Sequence, residues 1–138
     1  MFRLSIVTPE RVYYDGDVAS LVVPGTEGYL GILSNHAPLI TALQEGRIEY
    51  RDEADTVHIL AVSGGFLEVF DNKATLLADA VEAAEEIDVD RARDALERAR
   101  KKLEKVSSGS SPEEINVDEA RDALQRARNR IKVYNETH

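Results

Sequence analysis

The chain has 138 residues, 43% of them hydrophobic, a formal net charge of −9 and no cysteine. Such acidity without a basic stripe interleaved with aromatics speaks against nucleic acid, and the lack of cysteine removes both a disulfide framework and a thiolate site. No apolar run approaches the ~20 residues of a membrane-spanning helix, and Met1-Phe2-Arg3-Leu4-Ser5-Ile6-Val7 alternates at once, unlike a signal or transit peptide, so membrane association is expected only through a partner.

From Phe2 to Val81 short β-rich runs recur between turn signals: Phe2–Val7, Arg11–Tyr14, Val18–Val23, Tyr29–Leu33, Leu39–Leu43, Arg47–Tyr50, Val57–Val62, Phe66–Phe70 and Ala74–Ala80. About ten strands at this spacing predict an antiparallel β-sandwich or flattened barrel. The dipeptides Asp15-Gly16, Pro24-Gly25, Glu45-Gly46, Gly64-Gly65 and Asp71-Asn72 are read as tight reversals joining hairpins. No helix-period segment interrupts the runs, which argues against a parallel βαβ sheet.

Within this part, Gly25, Gly28 and Gly31 have the spacing of a phosphate loop, but a strand follows them where a nucleotide fingerprint needs a helix N-terminus. They are read as turn glycines. His36 and His58 lack a second histidine or carboxylate at ligand spacing, so no metal site is expected. Ser63-Gly64-Gly65 lacks the nucleophile elbow, and Glu45, Glu49, Asp52, Glu53 and Asp55 read as solvated charge around a hairpin. No catalytic constellation emerges.

Near Ala83 the pattern changes, dividing a β domain, residues 1–84, from an antiparallel helical hairpin, residues 85–138. Charge divides too: 5 basic and 15 acidic side chains lie up to Glu86, 12 and 11 beyond it. The segment opening at Ile87-Asp88-Val89-Asp90-Arg91-Ala92 is repeated 28 positions later at Ile115-Asn116-Val117-Asp118-Glu119-Ala120, with eleven of seventeen aligned positions identical. Val89, Ala92, Leu96, Ala99, Leu103 and Val106 form one heptad seam; Val117, Ala120, Leu124, Ala127, Ile131 and Tyr134 form the other. Ser107 to Pro112 is long enough only to reverse the chain, so the seams are expected to face each other.

The copies differ informatively at their starts. Asn116 and Glu119 read as a capping box. Asp88 is an equally good N-cap, but its N3 partner is Arg91, a cation opposed by the helix dipole. Arg98, Arg126 and Arg130 lie beside the seam. Two readings follow: an anion or nucleotide site between the helices, or a solvated face of i,i+4 pairs.

Taken in order, Thr8-Pro9-Glu10-Arg11, the stretch from Val23 to Leu39 (VPGTEGYLGILSNHAPL), Val62-Ser63-Gly64-Gly65-Phe66-Leu67-Glu68-Val69 and Leu77-Ala78-Asp79-Ala80 closely resemble the epsilon subunits of bacterial and chloroplast F-type ATP synthases. The resemblance spans nearly the whole chain. It implies a non-catalytic subunit of the central rotor stalk, bound to the gamma subunit and to the polar loops of the c-ring. The C-terminal helices would then regulate ATP hydrolysis. Members that bind ATP share the motif Ile/Leu-Asp-x-x-Arg-Ala, here Ile87, Asp88, Arg91 and Ala92. By that resemblance Glu82, Ile87, Asp88 and Ala92 flank the adenosine, while Arg91, Arg98, Arg126 and Arg130 neutralise the phosphates with no metal held by the protein. Glu27, Tyr29 and His36 are the implied c-ring contacts. Ser34 stands where many members have proline, and the Ser-rich loop between the helices is longer than in some relatives. The implied location is peripheral, on the cytoplasmic face of a bacterial plasma membrane or the stromal face of a thylakoid.

Half of each seam is alanine, and large side chains contribute about 1.5 to 3 kcal/mol each only when fully buried, so the hairpin is expected to be marginal. A ligand held only by the closed form adds about 2.7 kcal/mol at a hundredfold excess over Kd. In this reading ATP, as a regulatory ligand, keeps the hairpin closed; without it the helices extend along gamma and meet acidic loops of the alpha and beta subunits. Two other classes remain at this point: a structural stalk subunit with a static hairpin, and an acid-dependent hydrolase.

Overall fold

The computed structural model describes residues 1–107 and 116–137. The chain divides into two units, Met1–Ala84 and Glu85–His138.

Nine strands make up the first unit: β1 (Phe2–Val7), β2 (Val12–Gly25), β3 (Gly28–Ile32), β4 (Leu39–Leu43), β5 (Gly46–Asp52), β6 (Val57–Val62), β7 (Gly65–Phe70), β8 (Lys73–Ala78) and β9 (Val81–Ala83). The strand order is β1-β8-β7-β4-β2-β5-β6-β9, with β3 added to β2 and a further β1–β2 pairing. Strand β2 belongs to both layers of the sandwich. Its first half pairs with β1, from Val12 to Val18, and its second half with β5 and β3. The register shifts between Val18 and Ser20, where a bulge lets one strand turn from one layer to the other. Alternate side chains of both layers meet in the core, where Leu4, Ile6, Val18, Leu21, Val23, Ile48, Leu67 and Leu76 are wholly inaccessible.

Several expected reversals take another form. Asp15-Gly16 does not turn: both residues pair within the ladder, opposite Ser5 and Leu4, so the expected strands at Arg11–Tyr14 and Val18–Val23 are one. Gly25 pairs with Gly28, which places the β2–β3 turn on Thr26-Glu27 rather than Pro24-Gly25. Glu45-Gly46 and Gly64-Gly65 lead between strands that are not neighbours, since β4 pairs with β7 and β5 with β6. They are layer crossings. Asp71-Asn72 is the expected hairpin turn, with φ of 51° and 59°, the left-handed pair that a two-residue turn of this type requires. The sheet is antiparallel except for β1 against β8, which is parallel. The short β9, hydrogen-bonded to β6, falls at the edge of the residues read as β-rich and was not expected as a separate strand.

The second unit holds a 3-10 turn (Ala84–Glu86 spans its boundary) and two helices, α1 (Val89–Ser107) and α2 (Val117–Thr137). Asp88 caps α1, its Oδ1 accepting the Arg91 N–H at 3.1 Å. Asn116 caps α2 in the same way, through the Glu119 N–H at 3.0 Å. The reversal expected at Ser107 to Pro112 and the start of the second repeat at Ile115 lie outside the described residues.

The seam is occupied unevenly. Ala92, Ala99, Ala120 and Ala127 are buried to 5% exposure or less. Val89, Leu96, Leu103, Val106, Val117, Leu124, Ile131 and Tyr134 are only half-buried. Alanine has no side chain beyond Cβ, so the backbones approach at alanine positions and the longer side chains flank the contact. Val133, outside the expected seam, is buried to 1%.

Candidate functional site

Between α1 and α2 lies an open cavity of about 260 Å³. Its floor is built by Ala95, Ala99, Ala120 and Ala123, because small residues on facing helices leave space that leucines would fill. Arg98 and Lys102 from α1 and Arg126 from α2 line it, together with Asn116 and Glu119. Three cations therefore meet one carboxylate. Among the described residues neither Arg98, Lys102 nor Arg126 lies within ion-pair distance of an acid. Elsewhere on the hairpin arginines do pair locally, Arg93 with Asp90 at 3.6 Å and Arg100 with Glu97 at 3.5 Å. The cavity-facing cations thus differ from the solvated face.

Of the residues expected to hold a nucleotide, Arg98 and Arg126 share this cavity; Ile87, Asp88, Arg91, Ala92 and Arg130 do not line it. Arg91 is exposed in the first turn of α1, Ala92 is wholly buried in the seam, and Arg130 is half-buried one turn beyond Arg126 on α2. Ile87 is buried to 5%, and the Asp88 carboxylate is engaged in capping. Glu82 lies on β9 in the other unit, opposite Ala61. Lys102 was missed in the sequence. Its signal was present: Arg91, Ala95, Arg98 and Lys102 step by four, three and four along one helix face.

The expected c-ring contacts fall at the two ends of β3. Glu27 is at the exposed β2–β3 turn, and Tyr29 is 53% exposed. The Tyr29 hydroxyl accepts the Arg47 N–H at 3.1 Å, which fixes the ring against β5. His36 lies beyond the opposite end, in a turn where its N–H donates to the Leu33 carbonyl at 3.2 Å. That turn is held by Asn72, whose Oδ1 accepts the Asn35 N–H at 2.7 Å.

A second feature of the sandwich is apolar. Phe66 and Leu77, paired across β7 and β8, are 58% and 53% exposed, and Ile40 and Phe70 on the same face are 75% and 63% exposed. Exposed Glu68, opposite Ile40 and between Phe66 and Phe70 along β7, interrupts this cluster of exposed apolar side chains, which is larger than scattered surface hydrophobics usually form.

The Asp52 carboxylate, read as solvated, instead organises the β5–β6 turn. Its Oδ1 accepts the Ala54 and Thr56 N–H groups at 2.9 and 3.0 Å, and its Oδ2 lies 2.7 Å from His58 Nε2. The hydrogen bond from His58, then that from Thr56, holds the carboxyl below the ordinary carboxylate range, against partial desolvation. The His58 ring stacks on Tyr50 at 4.8 Å, and burial foremost pushes the Tyr50 phenol far above its usual value. These groups form a packed, hydrogen-bonded turn. Among the described residues no three or more His, Cys, Asp or Glu side chains could hold a metal, and no helix is long and apolar enough to cross a membrane.

A two-layer β domain followed by a pair of helices defines a two-domain class of protein, with a basic cavity in the second part. The family model for the beta-sandwich domain of the ATP synthase Delta/Epsilon chain matches residues 1–84, and the model for its long alpha-helix domain matches residues 85–135. The chain belongs to the ATP synthase delta/epsilon family, as an epsilon subunit of an F-type ATP synthase. It is similar to the ATP synthase epsilon chain of Pelotomaculum thermopropionicum, 55% identical over 103 residues, covering 75% of this chain and 76% of the relative. It is 55% identical over 101 residues to that of Carboxydothermus hydrogenoformans, covering 73% and 75%. Among solved structures, a chain of the Euglena gracilis mitochondrial ATP synthase (OSCP/F1/c-ring) matches with a TM-score of 0.78 at 25% identity, over 98% of this chain and 80% of that one. A chain of the Tetrahymena thermophila central stalk and c-ring shares the fold at a TM-score of 0.61 and 13% identity, over 98% and 94%.

Proposed function

We propose that this subunit sits in the rotor stalk between gamma and the c-ring, and that its hairpin senses ATP. ATP bound between α1 and α2 stabilises the closed, non-inhibitory hairpin. Without it the helices separate, extend along gamma and block hydrolysis by meeting acidic loops of the alpha and beta subunits. The reading rests on one observation above the others: Arg98 and Arg126, from different helices, face one cavity with no acidic partner among the described residues. Guanidinium groups bind phosphate bidentately and stay charged at all relevant pH values. Arg91, two turns before Arg98 on α1, and Arg130, one turn beyond Arg126 on α2, supply further positive charge, and Ile87, Asp88 and Ala92 at the start of the hairpin flank the adenosine. We read the role as regulatory: the single carboxylate lining the cavity among the described residues, Glu119, is too little for a metal cage or a nucleophile and base for phosphoryl transfer.

The apolar face of Ile40, Phe66, Phe70 and Leu77 supports docking of the sandwich on gamma. Glu27, Tyr29 and His36 are the proposed contacts to the c-ring loops, and the subunit is held at the membrane only through the complex, on the cytoplasmic face in a bacterium. Calorimetric titration of the full chain with ATP tests the sensing step. Saturable binding in the wild type that weakens at least tenfold in Arg126→Ala is the expected result; equal binding by both proteins, or none, leaves a static stalk subunit.

A further inference from the structure

The outer face of the layer formed by β4, β7 and β8 can be followed from strand to strand through its register. Phe66, Glu68 and Phe70 are all exposed along β7, because alternate residues of a strand share one face. Across the ladders, Glu68 lies opposite Ile40 of β4 and Thr75 of β8. One carboxylate is therefore bordered along its own strand by two phenyl rings, and on its neighbours by an isoleucine and a threonine.

Among the described residues the Glu68 carboxylate makes neither a hydrogen bond nor an ion pair, and Lys73, diagonal to it and opposite Phe70, does not reach it. Other acids of the sandwich are engaged: Asp15 with Arg3 at 2.8 Å, Asp55 with Arg51 at 3.0 Å and Asp52 with His58 at 2.7 Å. Beside Glu68 runs an open groove of about 380 Å³, lined by Pro38, Leu39, Ile40, Val69 and Phe70, in which Glu68 is the single charged side chain. Covering such a face with purely apolar groups would take the carboxylate out of water with nothing in return, which is unfavourable unless a cation arrives with the cover. Charge complementarity thus selects the occupant.

We infer that Glu68 accepts an arginine side chain of the protein that covers this face, and that this pair fixes where the partner sits. The inference rests on the docking of gamma proposed above and adds the chemistry that sets its register. Arginine fits better than lysine. Its guanidinium is planar and weakly hydrated, forks onto a carboxylate bidentately and stacks on aromatic faces. Phe66 and Phe70 stand one repeat of the pleat on either side of Glu68, about 6.6 Å along the strand, so a guanidinium held by Glu68 lies within cation–π range of either ring. Ile40 and the two rings then exclude water around the pair, the setting in which an interfacial charge pair specifies register.

The test is interferometric titration of the full chain against a gamma-containing F1 assembly lacking this subunit, for the wild type, Glu68→Gln, Glu68→Arg and the double variant Phe66→Ser with Leu77→Ser. Glu68 is exposed, so thermal melts of its two variants should match the wild type. Glu68→Gln should weaken binding about tenfold, and Glu68→Arg about tenfold further through like-charge repulsion. When arginines of gamma are changed to alanine one at a time, one of them should cost nothing further in the Glu68→Gln background, which is the mark of a coupled pair. Binding of Glu68→Gln as tight as the wild type, or tighter, overturns the inference; docking on this face still stands if the serine double variant binds more weakly. No loss in the double variant removes docking and the inference together. Self-association of Glu68→Gln with unchanged affinity for the assembly also overturns it, and assigns Glu68 to keeping copies of the chain apart.

Discussion

His58 Nε2 lies 2.7 Å from Asp52 Oδ2, joining the two sides of the β5–β6 hairpin across a turn that the other Asp52 oxygen already closes through two backbone N–H groups. The folded carboxyl titrates below its unfolded value, so the stability it contributes is present above the unfolded pKa of about 3.9 and is lost as pH falls through the lower folded value. Melting temperature should therefore drop on acidification below about pH 4, and Asp52→Asn should flatten that part of the profile while lowering the melting temperature at neutral pH. Thermal melts of the sandwich between acid and neutral pH check both.

At the crossing into β7, Gly65 has φ +142°, and a Cβ there would be driven into the Leu77 carbonyl. Gly65→Ala should destabilise the sandwich by about 3 kcal/mol. Urea unfolding measures this, with Gly31→Ala, where a Cβ meets nothing within 4 Å, as the mild control.

In the helical unit, Ala99 is 3% exposed in the seam and lines the cavity. Ala99→Leu should push the helices apart at a cost of about 1 to 3 kcal/mol, partly emptying the alanine floor of its depth. A fluorophore pair on the exposed positions Lys101 and Arg121, level with each other across the antiparallel helices, should report a greater separation, and ATP binding should weaken with it.

Phe66 and Leu77 are opposite each other and more than half exposed, so replacing both with serine should leave the melting temperature of the isolated chain nearly unchanged. Affinity for gamma should fall by at least tenfold, the scale of a lost apolar anchor. A pull-down or interferometry titration against gamma separates this from unfolding, and unaltered affinity would send the docking surface elsewhere on the sandwich.

The strands were legible wherever alternation met a turn, as at β1, β4 and β6, whose bounds agree with the alternating runs. Asp15-Gly16 misled because a turn-forming dipeptide can also sit within a ladder when neighbours on both sides supply partners, and Ser5 and Leu4 do so. Glu45-Gly46 and Gly64-Gly65 marked chain turning, but local chemistry does not encode which strand comes next to which. Arg98 and Arg126 could be found from helix periodicity. Lys102 lies on the same periodic face as Arg91 and Arg98 and was legible by the same spacing, though that it borders a cavity with Arg126 follows only from the second helix, and the role of Asp52 needed His58 across the hairpin.

The buried side chains along the helix pair are the methyl groups of Ala92, Ala99, Ala120 and Ala127 with Val133, while Leu96, Leu103, Leu124 and Ile131 already meet water in the closed hairpin, so parting the helices adds less new hydrocarbon than a leucine-filled seam would. A helix pair zipped by leucines would present a sticky ridge each time it parted, inviting aggregation or chaperone capture. A seam of this composition would suit the repeated parting and rejoining proposed for the hairpin better than a single, permanent assembly.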